Sequence, residues 1–260
     1  MNKSQTNYIK VIVQTGLLIA IAQIVKMFSN YIYIAGVPAL RISFSGPFTK
    51  MPGILFGPVI GGISAVLSDI IGYLIKPTGA YIPWLGLTAL LGGILTPIIW
   101  KALKNINIKH IQTVCIILFS AIGLLGIFNH IQLTYYENSS WSKFILGIGK
   151  GPGFATVLLI ATSIAGFLLL LIDRIIQKRF NNLKIYNNFL KLIISVGVPG
   201  LIVTTINTQI LRLSFVALSK QAFIAFLLPR IVEELFMTVY IAYMLSLLLY
   251  LYNNLFRSDN

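Results

Sequence analysis

YIKVIVQTGLLIAIAQIVKMF, residues 8–28, is the stretch from which the fold class follows. Its only charges, Lys10 and Lys26, sit near its two ends. A helix that crosses the hydrocarbon of a bilayer needs about 20 predominantly apolar residues, and this run has that length. It is long for a cleavable leader, lacks a small-residue cleavage site and is followed by further runs of the same kind. Those runs are 43–60, 61–75, 84–102, 110–128, 153–172, 189–211 and 222–252. The second is short and interrupted by Pro47, Pro52 and Pro58, and it joins the third tightly through Gly57, Pro58, Gly61 and Gly62. The pattern predicts an all-α, polytopic membrane helix bundle of about eight transmembrane helices, one transmembrane domain over residues 1–260.

Composition excludes the soluble classes. Hydrophobic residues make up 57% of the chain and charged residues 10%, with a mean hydropathy of +0.87. A soluble domain carries roughly 25% charged residues, so this chain cannot cover a water-facing surface. The net charge of +14 would suggest a nucleic-acid partner in a soluble protein. Here the basic residues lie between the apolar runs and read as membrane topology instead. With the N-terminus inside, the two richest loops, 101–110 and 173–191, both fall on the cytoplasmic side. Both termini are then expected inside, and the outer loops are the Gly-, Pro- and Tyr-rich ones. One cysteine, Cys115, excludes an internal disulfide and a multi-cysteine metal site. His110 and His130 flank one predicted helix a membrane thickness apart, so no metal site is expected from them.

Few polar residues interrupt the apolar runs. Asp69 lies within the third. An ionisable group there costs about 2.5–3.5 kcal/mol on insertion scales and faces a cavity or a partner. It reads either as part of a polar pocket or as a packed carboxylate bonded to Ser64, Ser68 or a helix end. Arg230, Glu233 and Glu234 follow Pro229 in the last run, and their i, i+3, i+4 spacing puts both carboxylates beside the guanidinium. That cluster either neutralises itself or lets Arg230 grip an anionic substrate, a task to which its planar fork is suited. Arg41 reads as a snorkelling residue at a helix end or as a second cation at a pocket mouth. Tyr31, Tyr33, Tyr81 and Trp84 cluster in the first two outer loops. They form an interfacial belt or a stacking surface for a flat ring. Asn207, in TTINTQIL, bonds across helices or to a ligand. Gly16 and Ala20 form a small-xxx-small pair on the first run, as do Gly57 and Gly61 at the second turn.

Enzymatic signatures are missing. There is no Walker A sequence for ATP hydrolysis and no Gly-x-Ser-x-Gly elbow. Glu233 and Glu234 are similar to the paired glutamates of CAAX-type proteases, but neither His lies in a membrane core beside them.

RISFSGPFTKMPGILFGPVIGGISAVLSDIIGYLIKPTGAYIP, residues 41–83, resembles the S components of energy-coupling factor (ECF) transporters, most closely their folate-type branch. The matching features are the start Arg41–Phe44, the turn Leu55–Pro58, Asp69 and the loop Pro77–Tyr81. LLPRIVEELFM, 227–237, is similar to the segment that opens the family's last helix. The resemblance covers roughly 1–104 and 189–255 and leaves 105–188 as an inserted transmembrane hairpin with a basic cytoplasmic loop.

The resemblance implies a six-helix core that captures a vitamin-like small molecule from outside a bacterial cell membrane. Loops after the first and third helices close over it. The loaded subunit works with a transmembrane coupling protein and two ATPase subunits, topples in the bilayer, and uses no cofactor or catalysis of its own. Arg41, Tyr81, Trp84, Asn207 and Arg230 are then expected to line or rim the outer pocket. Asp69 would orient the third helix, and Gly16 and Ala20 would dock the coupling protein. Three departures stand out: the extra hairpin, the sequence Pro47, Lys50, Pro52 in a helix that is usually smoothly apolar, and Glu233-Glu234 where Lys-Asn is common. The acidic pair suggests a ligand less acidic than folate. A stand-alone secondary carrier or intramembrane enzyme is the other function class compatible with the residues.

Overall fold

The computed structural model describes residues 3–34, 37–77, 79–136, 139, 142, 154–179, 189–219 and 223–256. The chain runs α1 (Lys3–Met27), β1 (Asn30–Ile34), β2 (Val37–Ile42), α2 (Gly46–Phe56), α3 (Pro58–Ile75) and α4 (Pro83–Lys104). It continues as α5 (Ile108–Tyr135), α6 (Phe154–Arg179), α7 (Phe189–Ser214), the short α8 (Val216–Ser219) and α9 (Phe223–Phe256). Among the described residues, six stretches of these helices are long and apolar enough to cross a bilayer: Tyr8–Met27, Pro58–Ile75, Pro83–Lys104, Ile108–Tyr135, Phe189–Ser214 and Pro229–Leu255. The protein is a multi-pass helical membrane protein.

Two features differ from the sequence reading. The run 43–60 yields a helix of only 11 residues, α2. At roughly 1.5 Å rise per residue α2 is about 16 Å long, half of a hydrocarbon core of about 30 Å. Pro47 starts it and Gly57 ends it at φ +98°, a left-handed conformation that suits glycine. Secondly, the loop 29–42 is an antiparallel β-hairpin, with Asn30 opposite Ile42 and an irregular register between Ile32 and Tyr33. The alternating Tyr31-Ile32-Tyr33-Ile34 has the aromatic and β-branched composition that strands favour. The side chains of residues 30–42 lie outside the described residues, as do Lys143, Lys150, Lys184 and Lys220 of the loops and the C-terminal Arg257.

The chain divides into two compact units, Met1–Asn105 with Lys191–Asn260, and Ile106–Leu190. In the first, α2, α3 and α4 meet at glycines. A Cβ on Gly61 would stand 2.5 Å from the Gly93 carbonyl oxygen and 2.7 Å from Gly53 Cα, and one on Gly53 would meet Gly61 and Pro97. Backbones come this close only where side chains are missing. Other joints are polar. Gln23 Nε2 of α1 donates to the Ser68 carbonyl at 2.9 Å and to its hydroxyl at 2.8 Å. Thr204 of α7 donates to Glu234 of α9 at 3.1 Å. Lys191 Nζ, at the start of α7, donates to the Lys104 carbonyl at 2.8 Å, a cation on the negative end of α4.

The second unit is a helical hairpin. Small residues line the seam between α5 and α6: Gly123 faces Ser163, Gly126 faces Ile160, and Gly166 faces Phe119. Ser163 Oγ donates to the Phe119 carbonyl at 2.8 Å. Near one end the fully buried Asp173 accepts from Gln112 Nε2 at 3.1 Å. His110 and His130 sit near opposite ends of α5.

Candidate binding cavity

Antiparallel threading brings four helix ends together: the C-terminal ends of α1 and α3 and the N-terminal ends of α2 and α4. The β-hairpin and the loop 76–82 leave from that same end. At that end lies a cavity of about 210 Å³ lined by Lys26, Ser45, Thr49, Lys50, Ala65, Ser68, Asp69 and Ala89. It is a polar hollow in an otherwise apolar bundle.

Each charged wall is positioned by a local device. Lys26 extends from the last turn of α1 across Gly72 of α3, where a side chain would displace its ammonium. Its Nζ donates to the Ser68 carbonyl at 3.0 Å. Asp69, partly buried, stands beside Tyr81: a Cβ on Gly86 would lie 2.9 Å from the Tyr81 hydroxyl and 3.7 Å from Asp69 Oδ2. Partial burial and, secondarily, the Asp69 carboxylate push the Tyr81 phenol above its usual range. Lys50 rises from α2, partly buried, with its Nζ beside Gly92 of α4. Glu234 of α9 is the carboxylate in whose field it sits.

The loop over this end is tethered. Tyr73 packs its ring on Tyr81 at 5.0 Å and donates its hydroxyl to the Gly79 carbonyl at 2.9 Å. Gly79 itself has φ +124°, which permits the turn. Lys76 Nζ donates to the Ser29 carbonyl at 3.2 Å, holding the loop to the base of the β-hairpin.

The residues singled out in the sequence do not all converge here. Asp69 lines the cavity and Tyr81 stands at its rim. Trp84 is 63% exposed and is not part of the lining, a position that matches an interfacial belt. Asn207 meets Thr88 of α4 across the helix interface. Arg230 stacks over Phe226, 5.5 Å from the ring centroid, in the field of Glu233 and Glu234. The Glu234 carboxylate lies against Gly200 and Thr204 of α7. Glu234 is thus part of the α7–α9 packing, and none of Arg230, Glu233 and Glu234 is among the residues lining this cavity. Arg41 pairs with Tyr31 in the hairpin backbone, and its side chain lies outside the described residues. Gly16 and Ala20 are exposed on α1, with nothing near the place a Gly16 Cβ would occupy. Sequence reasoning missed Lys26 and Lys50 as lining residues. The available signal was a lysine inside an apolar run, most plainly Lys50 in FTKMPG.

Comparison with known proteins gives two findings. A family model described as ECF-type riboflavin transporter, S component, matches residues 6–157, past the end of the first unit's N-terminal segment. The folate transporter FolT of Clostridium novyi (strain NT) is 27% identical over 110 residues, 42% of this chain and 57% of that protein. The match thus spans less than two thirds of the relative's length. No solved structure matches.

Proposed function

The chain belongs to the family of ECF-type riboflavin transporter S components, and from that premise we propose that it captures a vitamin-like small molecule in the cavity between α1, α2, α3 and α4. The observation that carries this reading is the cavity itself: two lysines, one aspartate and three hydroxyl side chains gathered inside an apolar bundle. Lipid does not require such a set, whereas binding pockets combine apolar walls with a few convergent polar groups.

The basic loops 101–110 and 173–191 favour a cytoplasmic position for both termini, which turns the cavity to the outside of the cell membrane. The tethered loop 76–82 and the β-hairpin then form the cover. The exposed Gly16 and Ala20 of α1 supply a flat face for the transmembrane coupling protein. The chain's own role is binding without catalysis, and two ATPase subunits supply the energy. Residues 1–104 with 189–255 form the unit that holds the cavity, while the family match itself continues to residue 157 and so takes in α5 of the hairpin 105–188 as well.

Mass spectrometry of small molecules retained by the detergent-purified chain tests this reading. A vitamin at near-stoichiometric level is expected, together with uptake in cells that requires the coupling protein and ATPases. An empty protein whose melting temperature no vitamin shifts, or uptake that persists without the ATPases, would replace this reading with a stand-alone carrier.

A further inference from the structure

Three charged side chains line the cavity, and they are not equally engaged. Lys26 is held on the Ser68 carbonyl. Asp69 stands beside the Tyr81 hydroxyl. Lys50 makes no hydrogen bond among the described residues. Its compensating charge, Glu234, is anchored on Thr204 and against Gly200. That carboxylate offsets the charge of Lys50 without saturating its donors. An ammonium has three of them, and a ligand that strips their water without replacing it leaves them unsatisfied, which is unfavourable.

Resting on the capture reading above, we infer that Lys50 is a specificity-determining residue that makes the cavity select ligands bearing an anionic group, a carboxylate or a phosphate. Asp69 in the lining and Glu234 behind it balance the two lysines in charge, so what favours an anionic group at Lys50 is its open donors rather than a net surplus of positive charge. A neutral ligand that displaces water from Lys50 leaves its donors without acceptors. An anionic ligand supplies them at charge-assisted strength. Lys26, next to Ser68 on the α1–α3 side, adds a second positive wall. Asp69 and the Tyr81 hydroxyl remain for a donor elsewhere on the same molecule. This reverses the expectation of a less acidic ligand that the Glu233-Glu234 pair suggested, because neither glutamate lines the cavity and Glu234 is held against α7, while Lys50 lines it.

The test uses the full chain in lipid nanodiscs and vitamins in matched anionic and neutral pairs. The pairs are nicotinate and nicotinamide, pantothenate and pantothenol, biotin and biotinamide, riboflavin 5′-phosphate and riboflavin, and folate and 6-hydroxymethylpterin. Equilibrium dialysis gives the affinities, and the melting temperature of each ligand-free variant reports folding. In at least one pair the anionic member should bind about tenfold to a hundredfold more tightly. Lys50→Met should remove most of that preference, leave the neutral member's affinity nearly unchanged, and keep or raise the ligand-free melting temperature. Lys50→Arg should retain the preference. If neutral members bind wild type as well as anionic ones, or if Lys50→Met and Lys50→Gln weaken both members alike, the selectivity assignment is wrong while the capture reading stands. If no member binds wild type, the capture reading fails and this one with it.

Discussion

Thr88 has one hydroxyl proton and two close neighbours, the Leu85 carbonyl at 2.8 Å and the Asn207 side-chain amide at 2.5 Å. A single proton serves both only poorly. With the Asn207 amide turned over, its NH₂ donates into Thr88 Oγ1 while Thr88 donates to Leu85, and both contacts are satisfied. The choice between amide oxygen and nitrogen is set by the network in this way. Of the two roles the sequence allowed Asn207, the cross-helix bond is therefore the one with a partner in place. Asn207→Leu should lower stability by about 0.5–1.5 kcal/mol, the range of interhelical hydrogen bonds in membranes, while ligand affinity stays within about twofold. Thermal unfolding in nanodiscs beside a binding isotherm checks both, and a large loss of affinity without loss of stability would make Asn207 a ligand contact. Asp69 shows the opposite balance of legibility. Its importance was visible in the sequence, because a carboxylate in an apolar run needs a reason. Lys50 carried the same signal, but nothing in the sequence said which way α2 is rotated.

At the level of elements, α2, α3 and α4 depend on surfaces with no side chain. The Gly61 Cβ position is occupied by the backbone of Gly93 and Gly53, which cannot swing aside as a side-chain tip can. Gly61→Ala should therefore cost at least about 1–3 kcal/mol through overpacking and loosen the cavity that these helices frame. Gly16→Ala should leave stability unchanged, since open space surrounds it. A bulkier Gly16→Leu should instead impair co-purification with the coupling protein. Melting curves of the two alanine variants form the first comparison, and pull-down of the partner the second. In sequence both glycines belong to small-xxx-small pairs of equal appearance. Only the packing separates a structural seam from a free face. The length of α2 was illegible for a related reason. Its flanking prolines and glycine mark breaks, but whether a broken run still crosses the bilayer depends on what it packs against.

At the level of the molecule, the chain leaves its first unit at Asn105 and returns at Lys191. The two ends stay close, because Lys191 Nζ reaches the Lys104 carbonyl. Replacing residues 107–187 by a short Gly/Ser linker should thus preserve folding of the remaining helices and binding at the cavity, whose lining all comes from residues 26–89. Size-exclusion profile, melting temperature and ligand affinity of the excised chain are the measurements. Loss of folding would mean that the hairpin is integral to the bundle.

What the sequence determined by itself is the solvent and the class. Long apolar runs separated by basic loops leave a chain no stable state outside a bilayer, and the stretch 41–83 carried the family resemblance because its turns and loop are built from glycine and proline at fixed spacing. What tertiary structure alone decided is which polar side chains meet. A helix rotated by one residue moves a side chain by about 100°. In a bundle with this few polar groups, hydrophobic periodicity constrains that rotation weakly. Lys26, Lys50 and Asp69 come together because glycine contacts lock α2, α3 and α4 in register and Gln23 ties α1 to Ser68. Glu234 turns to the α7–α9 interface for the same reason: close packing against Gly200 fixes where its carboxylate goes.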